Sequence, residues 1–426
     1  MDTYIEKGKW TDIDGRDFLC LMLLFVIWPF GAWLYSLYYI SKTRSAYIVF
    51  FLFSLLICWH FSPSYTSYYD DFLGILKRYQ DNVITTDSLV NILTDYFDSK
   101  EGAKKEIYEY VLNWFSRLFT NNYHFYFFIA SFPVAICQLK VMKRLTGDER
   151  FVNASIFSVM VLALLIFPRD IVTVQNFRFA TGFWLTLMGT VSFYCHNSNG
   201  SRYWPAVVFI MVAPLCHSAL LVYWPIFIGS LFARANKLLV TCAMVSIAFT
   251  FFDANLYSNL NLSFLPSSIQ TWATRYMSDD AYNKHILHVG RAGFWWVQWI
   301  IDTAIKTLYV WMTVQLIKNE DTVYENKEAS SLYSFYLVLF TCVNMIQFVP
   351  ELGSRFYWYV QIFCIFVWFK VFGFTKNKTL SMLFILCLYK MIRRYGYFLG
   401  GALSVNTNPD LFYMPLPYLI ATGFMR

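Results

Sequence analysis

The chain has 426 residues, 58% of them hydrophobic and 14% charged, where a soluble domain usually carries about 25% charged residues. That balance excludes an ordinary soluble globular fold. The net charge of +7 is spread over many short clusters, so it sets orientation in a membrane and does not point to nucleic-acid binding.

Apolar runs of about 17–25 residues recur from end to end, the length a helix needs to cross roughly 30 Å of hydrocarbon. The alternating ten-residue segments of a membrane β-barrel are not seen. The nine cysteines sit almost all in apolar stretches without a CxxC pair, so neither a disulfide framework nor a metal site is expected.

The amino-terminal 17 residues set Asp2, Glu6, Asp12, Asp14 and Asp17 against Lys7, Lys9 and Arg16, and little there opposes export. The first apolar run, about 18–40, is too long for a leader's hydrophobic region and lacks a small-residue cleavage site, so no cleavable leader is expected. After a span at about 46–62 comes a long segment, about 63–121. It holds YTSYYDDFLGILKRYQ, with Asp70 and Asp71, and then KKEIYEYVLNWFSRLF. In the latter, Ile107, Val111, Leu112, Phe115 and Leu118 recur at helical spacing and predict an interfacial helix. Spans follow at about 122–139, 151–167 and 176–195, the last opening with Arg178 in NFRFATGFWLTLMG.

An arginine at mid-bilayer costs roughly 2.5–3.5 kcal/mol on insertion scales, so one on a spanning helix needs a partner or a task. The apolar stretch at 203–231 is interrupted at APLCHS and reads as two half-length helices meeting at His217. Such breaks are tolerated where they line a polar cavity within protein. The remaining spans fall at about 238–252, 294–317, 331–349, 356–374 and 380–398, with a second long loop at about 253–293. The fold expected is an all-α polytopic membrane protein of about 11–13 transmembrane or half-spanning helices. It forms a single integral domain over 1–426, with interfacial helices in the two long loops.

Charge sets the topology. The clusters Lys42/Arg44, Lys140/Lys143/Arg144, Arg202, Arg234/Lys237 and Lys376/Lys378 all face the cytoplasm only if 203–231 enters and returns, with His217 at the far turn. The amino terminus then lies outside. The outer face collects Asp70, Asp71, Arg169, Asp170, Arg178, His217, Arg291, Arg355, Arg393 and Arg394. Basic residues on the exported side run against the usual bias, and an anionic ligand accounts for them. The planar arginine fork takes phosphate or carboxylate oxygens in pairs, best where water is scarce. The chain is 21% aromatic, with 31 tyrosines and 43 phenylalanines. For any single ring a lipid-facing belt is the plainer reading, although such rings also stack on sugars.

QNFRFATGFW, followed by APLCHSALLVYWPIF, resembles the EpsG/Wzy-like family of bacterial polysaccharide polymerases. That family pairs an (N/Q)-x-(F/I)-R-x-x-(L/I/F)-A element with a later His-Ser-(S/A)-hydrophobic element at a helix break. SYYDD and the late Arg355-Phe356-Tyr357-Trp358-Tyr359 are similar too, and the resemblance spans about residues 47–375. The extended acidic amino terminus departs from it, and GGALSVNTNPDLFYMPLPY carries no motif of it.

The resemblance implies an enzyme similar to the C-type glycosyltransferases, with a site on the outer face of the bacterial inner membrane. Its donor would be an oligosaccharide on undecaprenyl pyrophosphate, met among membrane lipids. Its products would be O-antigen (the chain of lipopolysaccharide), capsule or exopolysaccharide. A chain-length regulator protein is an expected partner, with no cofactor and no nucleic acid.

Departure of a pyrophosphate leaves charge that preorganised cations stabilise, at about 2.7–4 kcal/mol of barrier per donor removed. Arg178, Arg355, Arg169, Arg291, Arg393 and Arg394 are the substrate-binding candidates. A base for the acceptor hydroxyl, which contributes typically 10²–10⁴-fold, comes from His217, Asp70 or Asp71. Each has a structural alternative. A histidine at a helix break can satisfy freed carbonyls. Arg178 can snorkel to headgroups, Arg169 and Asp170 can form a local pair, and Arg393/Arg394 can anchor phospholipid. His285 and His288 have metal-ligand spacing but no obvious third ligand beyond Asp279 or Asp280, so a solvated loop is the plainer reading. Two other functions stay open: an O-antigen ligase, which usually has a large late outer loop, and a flippase or transporter, which tends to show internal repeats.

Overall fold

The computed structural model describes residues 15–40, 43–60, 107–147, 151, 156–169, 177–195, 202–233, 236–251, 295–347, 350–375, 377–399 and 409–425. Every regular element among them is helical. Hydrocarbon offers no partner for backbone N–H and C=O groups, and a helix satisfies them within one segment. Among the described residues, Tyr123–Thr146, Trp299–Lys318 and Leu352–Phe372 are long and apolar enough to cross a membrane. Shorter apolar helices such as Arg44–Trp59 and Ile156–Ile166 accompany them. The protein is an all-α polytopic membrane protein.

The chain gathers into two compact units. One comprises Met1–Phe193, Tyr203–Leu220 and Met391–Arg426; the other comprises Tyr194–Arg202 and Leu221–Lys390.

The first unit opens with α1 (Gly15–Ile27) and α2 (Pro29–Tyr39). The sequence reads this stretch as one span, and the difference lies at Pro29. Proline has no N–H for the carbonyl four residues back, and its ring crowds that turn, so the helix restarts there, preceded by Trp28 outside helical geometry. Next come α3 (Arg44–Trp59), α4 (Ile107–Arg117), α5 (Tyr123–Thr146), α6 (Ile156–Ile166), α7 (Phe177–Tyr194) and α8 (Val207–Cys216). Two caps start helices where the sequence offers an N-cap side chain. Thr43 accepts the Ala46 N–H at 3.4 Å ahead of α3, and Asn122 accepts the His124 N–H at 2.8 Å ahead of α5. Phe53, Tyr126, Phe127 and Phe177 centre the core of this unit.

The second unit holds α9 (Tyr223–Phe232), α10 (Lys237–Ser246), α11 (Trp295–Lys318), α12 (Glu320–Glu325), α13 (Lys327–Met345), α14 (Pro350–Phe372) and most of α15 (Asn377–Leu399). Helix α13 is its hub, with Tyr333, Phe335, Tyr336 and Phe340 fully buried and α9, α10, α12 and α14 packed around it. Asn326 caps its start by accepting the Ala329 N–H at 3.0 Å, and Lys370 of α14 pairs with Glu328 at 2.9 Å.

The final helix, α16 (Leu416–Met425), belongs to the first unit. It packs on α1, and the turn Pro409–Phe412 before it docks on the Pro29 break. There Trp28 Nε1 donates to the Phe412 carbonyl at 2.7 Å, and Phe30 meets the Phe412 ring edge-on at 5.0 Å. The carboxy-terminal segment that carries no family motif thus serves the packing of α1 and α2.

The break within 203–231 falls where the sequence places it. Pro214 lies inside α8, the helix ends at Cys216, and His217 is extended at φ −157°, ψ 121°. A 3-10 turn, Ser218–Val222, then leads to α9. Each ten-residue helix is about 15 Å long, half the hydrocarbon thickness. If 203–231 crosses twice, Ser218→Cys in a cysteine-depleted background reacts from outside with an impermeant maleimide and Ser201→Cys does not. Outside labelling of Ser201→Cys would overturn that topology.

Candidate functional site

Helices α4, α7 and α8 of the first unit bring its polar groups together. On α4 the residues Glu109, Asn113 and Ser116 stand at helical spacing on one stripe, and this stripe is buried along with Leu112. Phe115, away from this stripe, is exposed, as are Leu118 and Phe119 just beyond the end of the helix. The helix is where the sequence expects it, with its polar stripe turned toward α5, α7 and α8.

Arg178, in the first turn of α7, meets this stripe. Its Nη1 donates to Glu109 Oε2 at 3.1 Å, with the side chains only 12% and 1% exposed. One turn further along α7, Thr181 Oγ1 donates to the Tyr108 hydroxyl at 3.2 Å, so successive polar groups of α4 and α7 are zipped together. Burial pushes the Tyr108 phenol up, which keeps it protonated. Asn113 is fully buried, and neither of its amide atoms has a hydrogen-bond partner among the described residues. A buried amide left so is costly, and a hydroxyl or water, which both donates and accepts, is the kind of group that would satisfy its two atoms.

His217 is buried at the end of α8. Its Nδ1 accepts the Ala219 N–H at 3.2 Å, and its ring stands edge-on to Phe179, the neighbour of Arg178, at 5.3 Å. An Nδ1 lone pair used in this way assigns the neutral ring as the Nε2–H tautomer. In that state His217 is better placed to donate through Nε2 than to take a proton.

The close approach of α7 to α8 depends on two glycines seven residues apart, on one face of α7. A Cβ on Gly182 would stand 3.0 Å from the Ala213 carbonyl oxygen and 2.2 Å from Leu220 Cδ1. One on Gly189 would stand 3.0 Å from the Ala206 carbonyl oxygen and 2.9 Å from Ile210 Cγ1.

The other candidates are distributed differently. Arg355 lies on α14 in the second unit and is partly buried, while Phe356, Tyr357 and Tyr359 of the same motif are core residues. Tyr359 stacks near Tyr223, with ring centroids 4.9 Å apart. Arg169 ends the 3-10 turn Phe167–Arg169, and Arg393 and Arg394 fall on α15, but the side chains of all three are outside the described residues. Asp70, Asp71, Asp170, Asp279, Asp280, His285, His288 and Arg291 also lie outside them.

Glu109 and Asn113 are the site residues that the sequence reading misses. The signal was the spacing Glu109-Asn113-Ser116, a polar stripe on a helix whose other face is apolar.

A buried ion pair, an amide without a partner among the described residues and a histidine at a helix break thus stand on α4, α7 and α8 of an all-α membrane protein. The chain matches the EpsG family model over residues 21–403 and belongs to that family, one of Wzy-like polysaccharide polymerases. No curated protein and no solved structure matches it.

Proposed function

We propose that this protein joins lipid-linked oligosaccharide repeats into long surface polysaccharide chains on the outer face of the bacterial cytoplasmic membrane. The observation that carries the reading is the Arg178–Glu109 pair, set beside the His217 break, in a chain that matches the EpsG family model over residues 21–403. Outside the cytoplasm no nucleotide sugar is available, so the donor sugar arrives on undecaprenyl pyrophosphate. The acceptor hydroxyl oxygen attacks the donor's anomeric carbon, and the bond from that carbon to the pyrophosphate breaks. The pyrophosphate leaves with the electron pair, and the hydroxyl proton passes to a base.

Arg178, with Arg169, Arg393 and Arg394 of the same unit as further candidates, offsets the charge of the leaving pyrophosphate. The base falls to a carboxylate, Asp70, Asp71 or Glu109, because the His217 Nδ1 lone pair is engaged by the backbone. His217 then donates through Nε2–H.

Gene deletion followed by gel analysis of surface polysaccharide tests the reading. Single repeats on the surface acceptor should persist while the ladder of longer chains disappears. Loss of even single repeats would point to a ligase or a flippase. His217→Ala should shorten or abolish the ladder without lowering the amount of protein in the membrane. Arg234→Ala, on the expected cytoplasmic side, should be nearly silent.

A further inference from the structure

The second unit carries unspent positive charge deep in a spanning helix. In α11, Asp302 and Lys306 interrupt WWVQWIIDTAIKTLYVWMTVQLIK. Lys306 lies eleven residues into the helix from Trp295, about 16 Å at 1.5 Å per residue, near the middle of a bilayer-crossing segment. Ionisable groups at such depth mark ligand or ion sites by default. Lys390 of α15 holds Asp302 at 2.7 Å, so two lysines and one aspartate leave a net charge of +1.

Lys306 feels the charges of Asp302 and Lys390, and its side-chain hydrogen bond goes to an uncharged group. Its Nζ donates to Gln347 Oε1 at 3.3 Å and sits 5.8 Å from the centre of the Tyr357 ring. The Gln347 amide nitrogen is committed to the Gly353 carbonyl at 3.1 Å, which fixes the amide oxygen toward the lysine. Tyr309, also on α11, meets Tyr357 edge-on at 6.3 Å. Both tyrosines are buried, and neither hydroxyl has a hydrogen-bond partner among the described residues. The nearby carboxylate, Asp302, is ion-paired with Lys390, and around Lys306 the protein supplies one cation and two O–H donors.

We infer that Lys306, Tyr309 and Tyr357 form an anion-binding site in the second unit that takes a lipid-borne phosphate. A phosphate offers several oxygens, enough for the ammonium and both hydroxyls at once, and a lipid phosphate reaches this depth without leaving the bilayer. The inference rests on the proposed reaction for its role: joining two lipid-linked chains requires holding two pyrophosphates, and the Arg178 site belongs to the other unit.

The test uses the full chain in phosphatidylcholine nanodiscs with farnesyl diphosphate as the probe, its binding followed by native mass spectrometry. Lys306→Met should lower affinity at least tenfold, and the Tyr309→Phe/Tyr357→Phe pair several-fold. Lys306→Arg should retain binding. Competition identifies the source. Displacement by phosphatidylglycerol or undecaprenyl phosphate, with inorganic pyrophosphate inert at equal concentration, assigns the site to a lipid phosphate. Equal displacement by inorganic pyrophosphate overturns the lipid assignment. Wild-type affinity in a well-folded Lys306→Met protein overturns the site. If deletion leaves the polysaccharide ladder intact while Lys306→Met still loses the probe, the site stands and the polymerase reading falls.

Discussion

Arg178→Lys is expected to abolish the long-chain ladder while the protein remains in the membrane at its usual level. Lysine preserves the positive charge opposite Glu109, so the buried pair persists. What disappears is the planar fork that grips two phosphate oxygens together. Glu109→Gln behaves differently because it leaves a buried guanidinium without its counter-charge. Breaking one side of such a pair costs about 3–5 kcal/mol, so that variant should fall in abundance as well as in activity. Exchanging the two, Arg178→Glu with Glu109→Arg, should recover abundance and leave the polymer absent. Membrane immunoblots read beside polysaccharide gels separate these outcomes. A normal ladder from Arg178→Lys would reduce the pair to a structural fastening.

Gly182→Val combined with Gly189→Val should destabilise the folded protein strongly. At each position a Cβ would come within 3.0 Å of a backbone carbonyl oxygen of α8 or of the turn before it, and such an atom moves only if the helix moves. Overpacking of this kind costs about 1–3 kcal/mol per site. The two sites lie two turns apart, so their effects should nearly add. Thermal unfolding in detergent should show the double variant well below either single one. Gly229→Ala is the matched control, since nothing stands within 4 Å of a Cβ there, and it should be silent.

Much of the fold was legible because hydrocarbon imposes a length and a composition on every crossing helix. The break at His217 was legible too: Pro214 and the length of 203–231 both argue against one straight span. Other features were not. The kink at Pro29 was hidden inside an apolar run long enough to cross unbroken. The buried stripe of α4 was hidden because apolar periodicity marks the inward face of a helix in water. On this helix Phe115 is exposed while Glu109 and Asn113 are buried beside Leu112, so apolar periodicity alone does not pick out the buried side. Pairing Glu109 with Arg178 needed a contact across 69 residues of sequence, which no local pattern carries. Lys306 was passed over because it reads as one charge near the middle of an acceptable span, and only Gln347 and Tyr357, brought in from other segments, give it meaning.

The arrangement of α4 ties Glu109 to the solvent around the helix. Phe115, Leu118 and Phe119 have acyl chains or headgroup boundaries as their natural neighbours. Stripping those lipids leaves the helix with an apolar face in contact with water and little reason to keep its rotation. A turn of α4 about its own axis would draw the carboxylate away from Arg178 while the rest of the unit stood intact. Extracted protein could therefore retain its helical spectrum and its melting transition and yet have lost its chemistry, with activity returning when lipid is restored. For the site proposed in this protein, the surrounding bilayer would act as part of it.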